Sequence, residues 1–161
     1  MIVAFLAAAL SLAGLNLPTQ DLAGQPRIFP ADIAPVRAVI VLTFSKSASD
    51  EASEWTRKLR ENQQKLGAGL YQIAVLEDVP ALFRSFVISS IRRAVPKNLH
   101  HNFWVAASAS SEWQKHTGSN SPDQAHVFLL EGRSVITWRV DGVFSEAALR
   151  SLFAALAVDK K

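Results

Sequence analysis

Residues 39–59 read VIVLTFSKSASDEASEWTRKL. From Val36 to Phe44 apolar, largely β-branched side chains fall on both parities. A strand with that pattern is covered on both faces, which predicts a place in the middle of a sheet. A short polar loop follows, and a helix is expected from Ser49 to Lys65. Ser49 is the expected N-cap, and Asp50 and Glu51 put negative charge at the positive end of the helix dipole. Ala52, Trp55, Leu59 and Leu66 recur at helical spacing and give this helix one buried stripe. Gly67 and Gly69 end it.

Further along, "LYQIAVL" (residues 70–76) reads as the next strand. Pro80 then suits a first helical position. The helix from there to about Ala94 is expected to bury Leu82, Phe83, Phe86, Val87 and Ile91, with Pro96 stopping it. "NFWVAAS" (residues 102–108) reads as a third strand and residues 110–116 as a short helix. "AHVFLLE" and "SVITWRVDG", joined by a tight turn at Gly132, make a hairpin. Residues 145–157 close the chain as an amphipathic helix facing inward through Leu149, Leu152, Phe153 and Leu156. Before the central strand, residues 17–36 are rich in Pro and Gly, a loop with a short strand near Arg27–Phe29. No internal repeat is present. Parallel crossovers followed by an antiparallel hairpin and a helix predict a mixed α/β sheet with helices on both faces, a three-layer sandwich.

The chain has 161 residues, 49% hydrophobic and 19% charged, which is enough apolar material for a packed core and argues against disorder. Its net charge of +3 is too mild to imply nucleic acid, and no alternating basic and aromatic platform is present. There is no cysteine, so thiol catalysis, disulfides and Cys-bound metal are excluded in this chain. Residues 1–20 carry no charged side chain, and "MIVAFLAAALSLAG" is an apolar run too short to span a bilayer comfortably. Residues 1–16 therefore read as an export signal, with a small-residue cleavage site before Gly14, or as a short anchor. The basic residue that usually precedes such a run is missing. The expected location is outside the cytoplasm, either exported or membrane-tethered.

Taken in order, these stretches resemble the thioredoxin superfamily, and within it the extracytoplasmic thioredoxin-like and peroxiredoxin-like branch with an extra strand-helix unit. "DLAGQPRIFPADI" resembles that branch's lead-in, "VIVLTFSKSASDEASEW" its strand, reactive loop and first helix, and "AHVFLLEGRSVITWRVDG" its C-terminal hairpin. The resemblance covers residues 17–157 and implies a thioredoxin-like domain over residues 17–161. Placing Phe44 on the family's phenylalanine puts Ser49 and Ala52 at the two cysteine positions, and Ala125 at the family's cis-proline. All three reactive positions are changed. Asp50 and Glu51 would further oppose an anion at the helix start. A second resemblance, in layout, is to the mitochondrial ATP-synthase assembly factor family, carried by "SSIRRAVPKNLHHNFWV" and the hairpin. It implies an assembly or chaperone-like role.

Residues 79–111 contain no acid but carry Arg84, Arg92, Arg93, Lys97, His100 and His101. Arg84 and Arg92 share the expected solvent side. This stretch reads either as a solvated helix face or as a site for an acidic or membrane-associated partner. Adjacent His100 and His101 diverge and have no third ligand at a telling spacing, so they read as surface residues and no metal is expected. His126, beside the former reactive loop, is the one candidate acid or base. Trp55, Trp104, Trp113 and Trp138 read as packing residues.

The expectation is thus a non-catalytic binder of a protein partner, an extracytoplasmic assembly or maturation factor needing no cofactor. Its contact surface would join Ser49, Asp50, Ala125 and His126 to Arg92, Arg93 and Lys97. The alternatives are an enzyme using His126 with a nearby carboxylate, and an inactive structural paralogue.

Overall fold

The expected central strand is central. In the computed structural model, which describes residues 9–158, strand β4 (Arg37–Thr43) lies between β5 (Gly69–Val75), parallel to it, and β7 (His126–Glu131), antiparallel to it. Its two parities go to two cores. Ala38, Ile40 and Leu42 face one side of the sheet, and Val39 and Val41 face the other. That division is why no polar alternation shows in its sequence.

The remaining strands are β1 (Leu10–Ser11), β2 (Leu17–Asp21), β3 (Pro26–Phe29), β6 (Phe103–Ala106) and β8 (Val135–Asp141). Together they form an eight-stranded sheet in the order β1-β8-β7-β4-β5-β6-β2-β3. The parallel run β4-β5-β6 is followed by the β7-β8 hairpin. The β2-β3 hairpin extends the sheet antiparallel to β6.

Helix α1 (Ser49–Glu61) and a single further turn, α2 (Gln63–Leu66), follow β4. Their Ala52, Trp55, Leu59 and Leu66 are buried with Leu149 and Leu152 of α5 (Glu146–Ala157) on one face of the sheet. Gly67, at φ 59°, ends the second helix in the left-handed conformation that glycine adopts without a Cβ penalty. Helix α4 (Ser110–Thr117) covers the other face, where Trp113 packs on Phe29 with ring centroids 4.8 Å apart. The layers are helix, sheet, helix, as expected.

Residues 17–21, read as loop, form strand β2, paired with β3 and β6, and three further details differ from the sequence reading. First, α3 (Ala81–Ala94) turns a different stripe to the sheet. Ile88, Ile91 and Val95 pack against Leu22, Ala74, Phe103 and Val105, whereas Leu82, Phe83 and Phe86 are 88%, 58% and 68% exposed. Two apolar stripes lie on this helix, and periodicity alone does not say which one a sheet covers. Second, Ser49 is not an N-cap. A 3-10 turn over Lys46–Ala48 runs directly into α1, so Ser49 already has helical dihedrals and its N–H donates to Lys46 O. Third, the fold takes in residues ahead of Leu17. Leu10–Ser11 pairs with β8 and Leu12 is 2% exposed in the core. Residues 1–8 of the expected signal or anchor lie outside the described residues. No helix among the described residues is long and apolar enough to cross a membrane.

Candidate functional site

The end of the sheet at which β4 delivers the chain to α1 holds the positions of the expected reactive loop. Two segments more than 70 residues apart in sequence are tied together there. Ser45 Oγ donates to Pro122 O at 2.7 Å, and Ser47 Oγ donates to Asp123 Oδ1 at 2.9 Å. The Ala125 N–H donates to Glu51 Oε2 at 3.0 Å. Ala125 itself is fully buried. A proline at 125 has no N–H to give, so this last bond exists only because the residue there is not proline. Glu51 lies between the two cysteine-equivalent positions, and its carboxylate spans the gap between helix start and loop.

Behind this latch sits His126, 1% exposed, with Phe44 edge-on to its ring at 5.8 Å. His126 Nε2 donates to Ser121 O at 2.7 Å, and Nδ1 is hydrogen-bonded to Asp141 Oδ1 at 2.6 Å. Arg139 Nη2 also donates to both Asp141 carboxylate oxygens, at 2.8 and 3.1 Å. Burial raises the Asp141 pKa, but the hydrogen bonds and charges of His126 and Arg139 outweigh it. The carboxyl therefore titrates below its ordinary value of 3.8. With both ring nitrogens bonded, His126 has no nitrogen free for a substrate. Trp55 Nε1 donates to Gly142 O at 2.9 Å and joins α1 to the end of the hairpin.

Of the expected contact residues at this end, Ser49 and Asp50 are exposed. Ala52, Ala125 and His126 are buried. The surface imagined through His126 and Ala125 is thus reduced to Ser49 and Asp50, since an inward-facing strand start offers no side chain to a partner. Glu51 escaped the sequence reading as a site residue, because a carboxylate in a first helical turn already has an explanation in the dipole. The missing proline was the signal, for a free N–H at 125 needs an acceptor.

The basic stretch lies at the opposite end of the sheet. Helix α3 leaves the C-terminal end of β5 and delivers the chain to the N-terminal end of β6, two strands across the sheet from β4 and away from the end of β4 that carries the latch. Sequence reading had joined these two regions into one surface, and the topology separates them. At this far end Arg92 Nε donates to Leu22 O at 2.9 Å. His100 is buried rather than on the surface, its Nε2 hydrogen-bonded to Arg92 O and Val95 O, which caps α3. Arg92, Lys97, His100 and His101 line a cleft of ≈ 520 Å³ with Leu22 and Ala23, and no carboxylate lines it. Arg93 is not part of the cleft, and its Nη2 donates to Ser90 Oγ at 3.4 Å. Arg84 does not share a surface with Arg92. It folds back to donate to Leu76 O and Glu77 O.

No family model matches the chain, and no curated protein sequence does. Solved structures do match. The pneumococcal exposed lipoprotein thioredoxin of Streptococcus pneumoniae superposes with a TM-score of 0.59 at 9% identity, covering 87% of this chain and 98% of that one. BsSco, a member of the Sco family of cytochrome c oxidase assembly proteins, gives 0.58 at 10% identity, covering 96% and 99%. Peroxiredoxin Q of Xanthomonas campestris gives 0.56 at 13%, covering 90% and 92%.

The chain has the thioredoxin fold.

Within that fold, the latch of Ser45, Ser47 and Glu51 on residues 122–125 stands at the place where the resemblance puts the reactive loop. A thioredoxin fold without a single cysteine has no thiol to offer there. What this end does chemically is hold itself shut through hydroxyl and carboxylate hydrogen bonds. Among the described residues, no group of three or more His, Asp or Glu gathers in a metal-binding arrangement.

Proposed function

We propose that this protein is a non-catalytic thioredoxin-fold binder of a protein partner, acting outside the cytoplasm in assembly or maturation. One observation carries the reading. The former reactive end is latched by the chain's own hydrogen bonds, from Glu51 to Ala125 above all, while an acid-free cleft stays open at the other end. A partner segment with a carboxylate or two would find Arg92, Lys97 and His101 there. At ≈ 520 Å³ the cleft is large enough for side chains to enter. Its charges sit in solvent, so they contribute more to the rate and specificity of encounter than to affinity. The fold shared with a lipoprotein thioredoxin and with an oxidase assembly protein supports the extracytoplasmic and assembly parts of the reading.

The test is capture of partners from the native host by wild type and by Arg92→Glu/Lys97→Glu. The expected result is loss of one or more specific partners, by about tenfold, with the fold retained by circular dichroism, and a smaller loss with Lys97→Glu alone, which leaves the Arg92–Leu22 bond in place. Identical recovery of every partner overturns the cleft as the docking site. N-terminal sequencing of the mature chain and fractionation test location. A chain starting at Met1 in the soluble cytoplasmic fraction overturns export.

A further inference from the structure

Helix α3 leaves one feature that the cleft does not use. Its sheet-facing stripe is Ile88, Ile91 and Val95. Half a turn away, at helical steps of three and four, lie Leu82, Phe83, Phe86, Ser89, Ser90 and Arg93. Leu82, Phe83 and Phe86 are the exposed large apolar side chains of this helix. Exposed apolar clusters of this kind mark contact surfaces.

The charges around the stripe identify what covers it. The helix itself carries Arg84, Arg92 and Arg93 and no acid. Its acids, Glu77 and Asp78, lie just ahead of it. Glu77 is engaged as acceptor of the Ser110 N–H. Asp78 is exposed and, among the described residues, in no ion pair, and the same holds for Arg93. An exposed acid thus stands just ahead of the helix and an exposed base in its last turn. An anionic bilayer would meet the unneutralised Asp78 at the end of the helix that Leu82 begins. A parallel second helix would set Asp78 against Asp78 and Arg93 against Arg93.

We propose that this face pairs with the same face of a second copy of the chain, antiparallel, about a twofold axis through Phe86. A twofold interface requires that if residue i meets residue j, then j meets i. The spacing of α3 meets this requirement. With Phe86 on the axis, Leu82 falls opposite Ser90 of the second copy, and Phe83 falls opposite Ser89. Large side chains therefore lie over small ones, as ridge-into-groove packing needs. Arg93, in the last turn, then lies toward the second copy's helix start, just ahead of which stands Asp78, and the ion pair forms twice. One helix per copy makes a small interface, so the dimer is weak and concentration-dependent.

The experiment is sedimentation equilibrium of the full chain, a 17.6 kDa monomer, over a wide range of concentrations. The expected result is a mass that rises from one chain to two. Phe86→Glu puts two like charges on the axis and leaves a monomer with an unchanged circular dichroism spectrum, since residue 86 is solvent-facing within one chain. Asp78→Arg and Arg93→Asp each weaken the dimer by about five- to tenfold, two exposed ion pairs being lost at once. The double variant restores it to near the wild-type constant. A mass that stays at one chain overturns the proposal. So does a dimer that survives Phe86→Glu, a double variant no better than the singles, or a monomer that instead binds phosphatidylglycerol vesicles. None of these outcomes bears on the Arg92–Lys97 cleft, which is tested by variants on another side of α3.

Discussion

Glu51 ties the start of α1 to the loop that leads into β7. It accepts from the Ala125 N–H, a hydrogen bond that a proline at 125 would forbid. Glu51→Ala is expected to lower stability by about 1–2 kcal/mol, the loss of one charge-assisted bond that is half in solvent. Urea unfolding measures it, and Ala125→Pro in the Glu51→Ala background costs less than in wild type, because the two changes remove the same bond. Asp141 sets a second expectation. Its pKa is depressed in the folded chain, so its contribution is fully present above its unfolded value and is lost as pH falls through the folded one. The stability difference between wild type and Asp141→Asn should therefore be flat near neutrality and shrink between about pH 5 and pH 2, as read from thermal melts across that range. A difference that grows on acidification would contradict the His126–Asp141–Arg139 arrangement.

Helix starts show how local chemistry and its neighbours share control of an element. Ser145 is extended and its hydroxyl accepts from the Ala148 N–H, so α5 has a working N-cap. Ser49 looks equivalent in sequence, yet the preceding 3-10 turn takes the capping position away from it. Ser145→Ala is expected to cost about 1 kcal/mol, and Ser49→Ala to stay within about 0.5 kcal/mol of wild type, by denaturant midpoints. In α3 the competition is between two apolar stripes. The sheet offers Ala74, Phe103 and Val105 to the Ile88–Ile91–Val95 side, where β-branched side chains fill the shallow space above β5 and β6. The bulkier Leu82, Phe83 and Phe86 are left outside.

At the scale of the whole molecule, the sheet holds the latch and the basic cleft apart. The latch lies where β4 ends, the basic cleft where β6 begins, and the β2-β3 hairpin contributes Leu22 and Ala23 to the cleft from the far edge. The opposite edge is closed by β1, whose neighbour Leu12 fills the core beneath α4. Leu12→Ala is expected to cost about 2–4 kcal/mol, measured by urea unfolding of the full chain. Cleavage just before Gly14 would remove β1 and Leu12 together, so an export signal processed there would leave a measurably less stable domain.

By itself the sequence determined the order of elements from β4 onward, the central place of β4, the hairpin, the stripe Ala52–Trp55–Leu59–Leu66 and the absence of thiol chemistry. These depend on periodicity, turn residues and composition, which are local and survive reading in one dimension. The tertiary structure alone decided which stripe of α3 meets the sheet and that His126 is enclosed with both nitrogens bonded. It also decided that Glu51 reaches Ala125 and that Arg92 and Lys97 stand at the start of β6, two strands across from the β4 end that leads to Ser49. Each of these depends on a contact between residues far apart in the chain, and a pattern along one segment carries no information about what another segment brings to meet it.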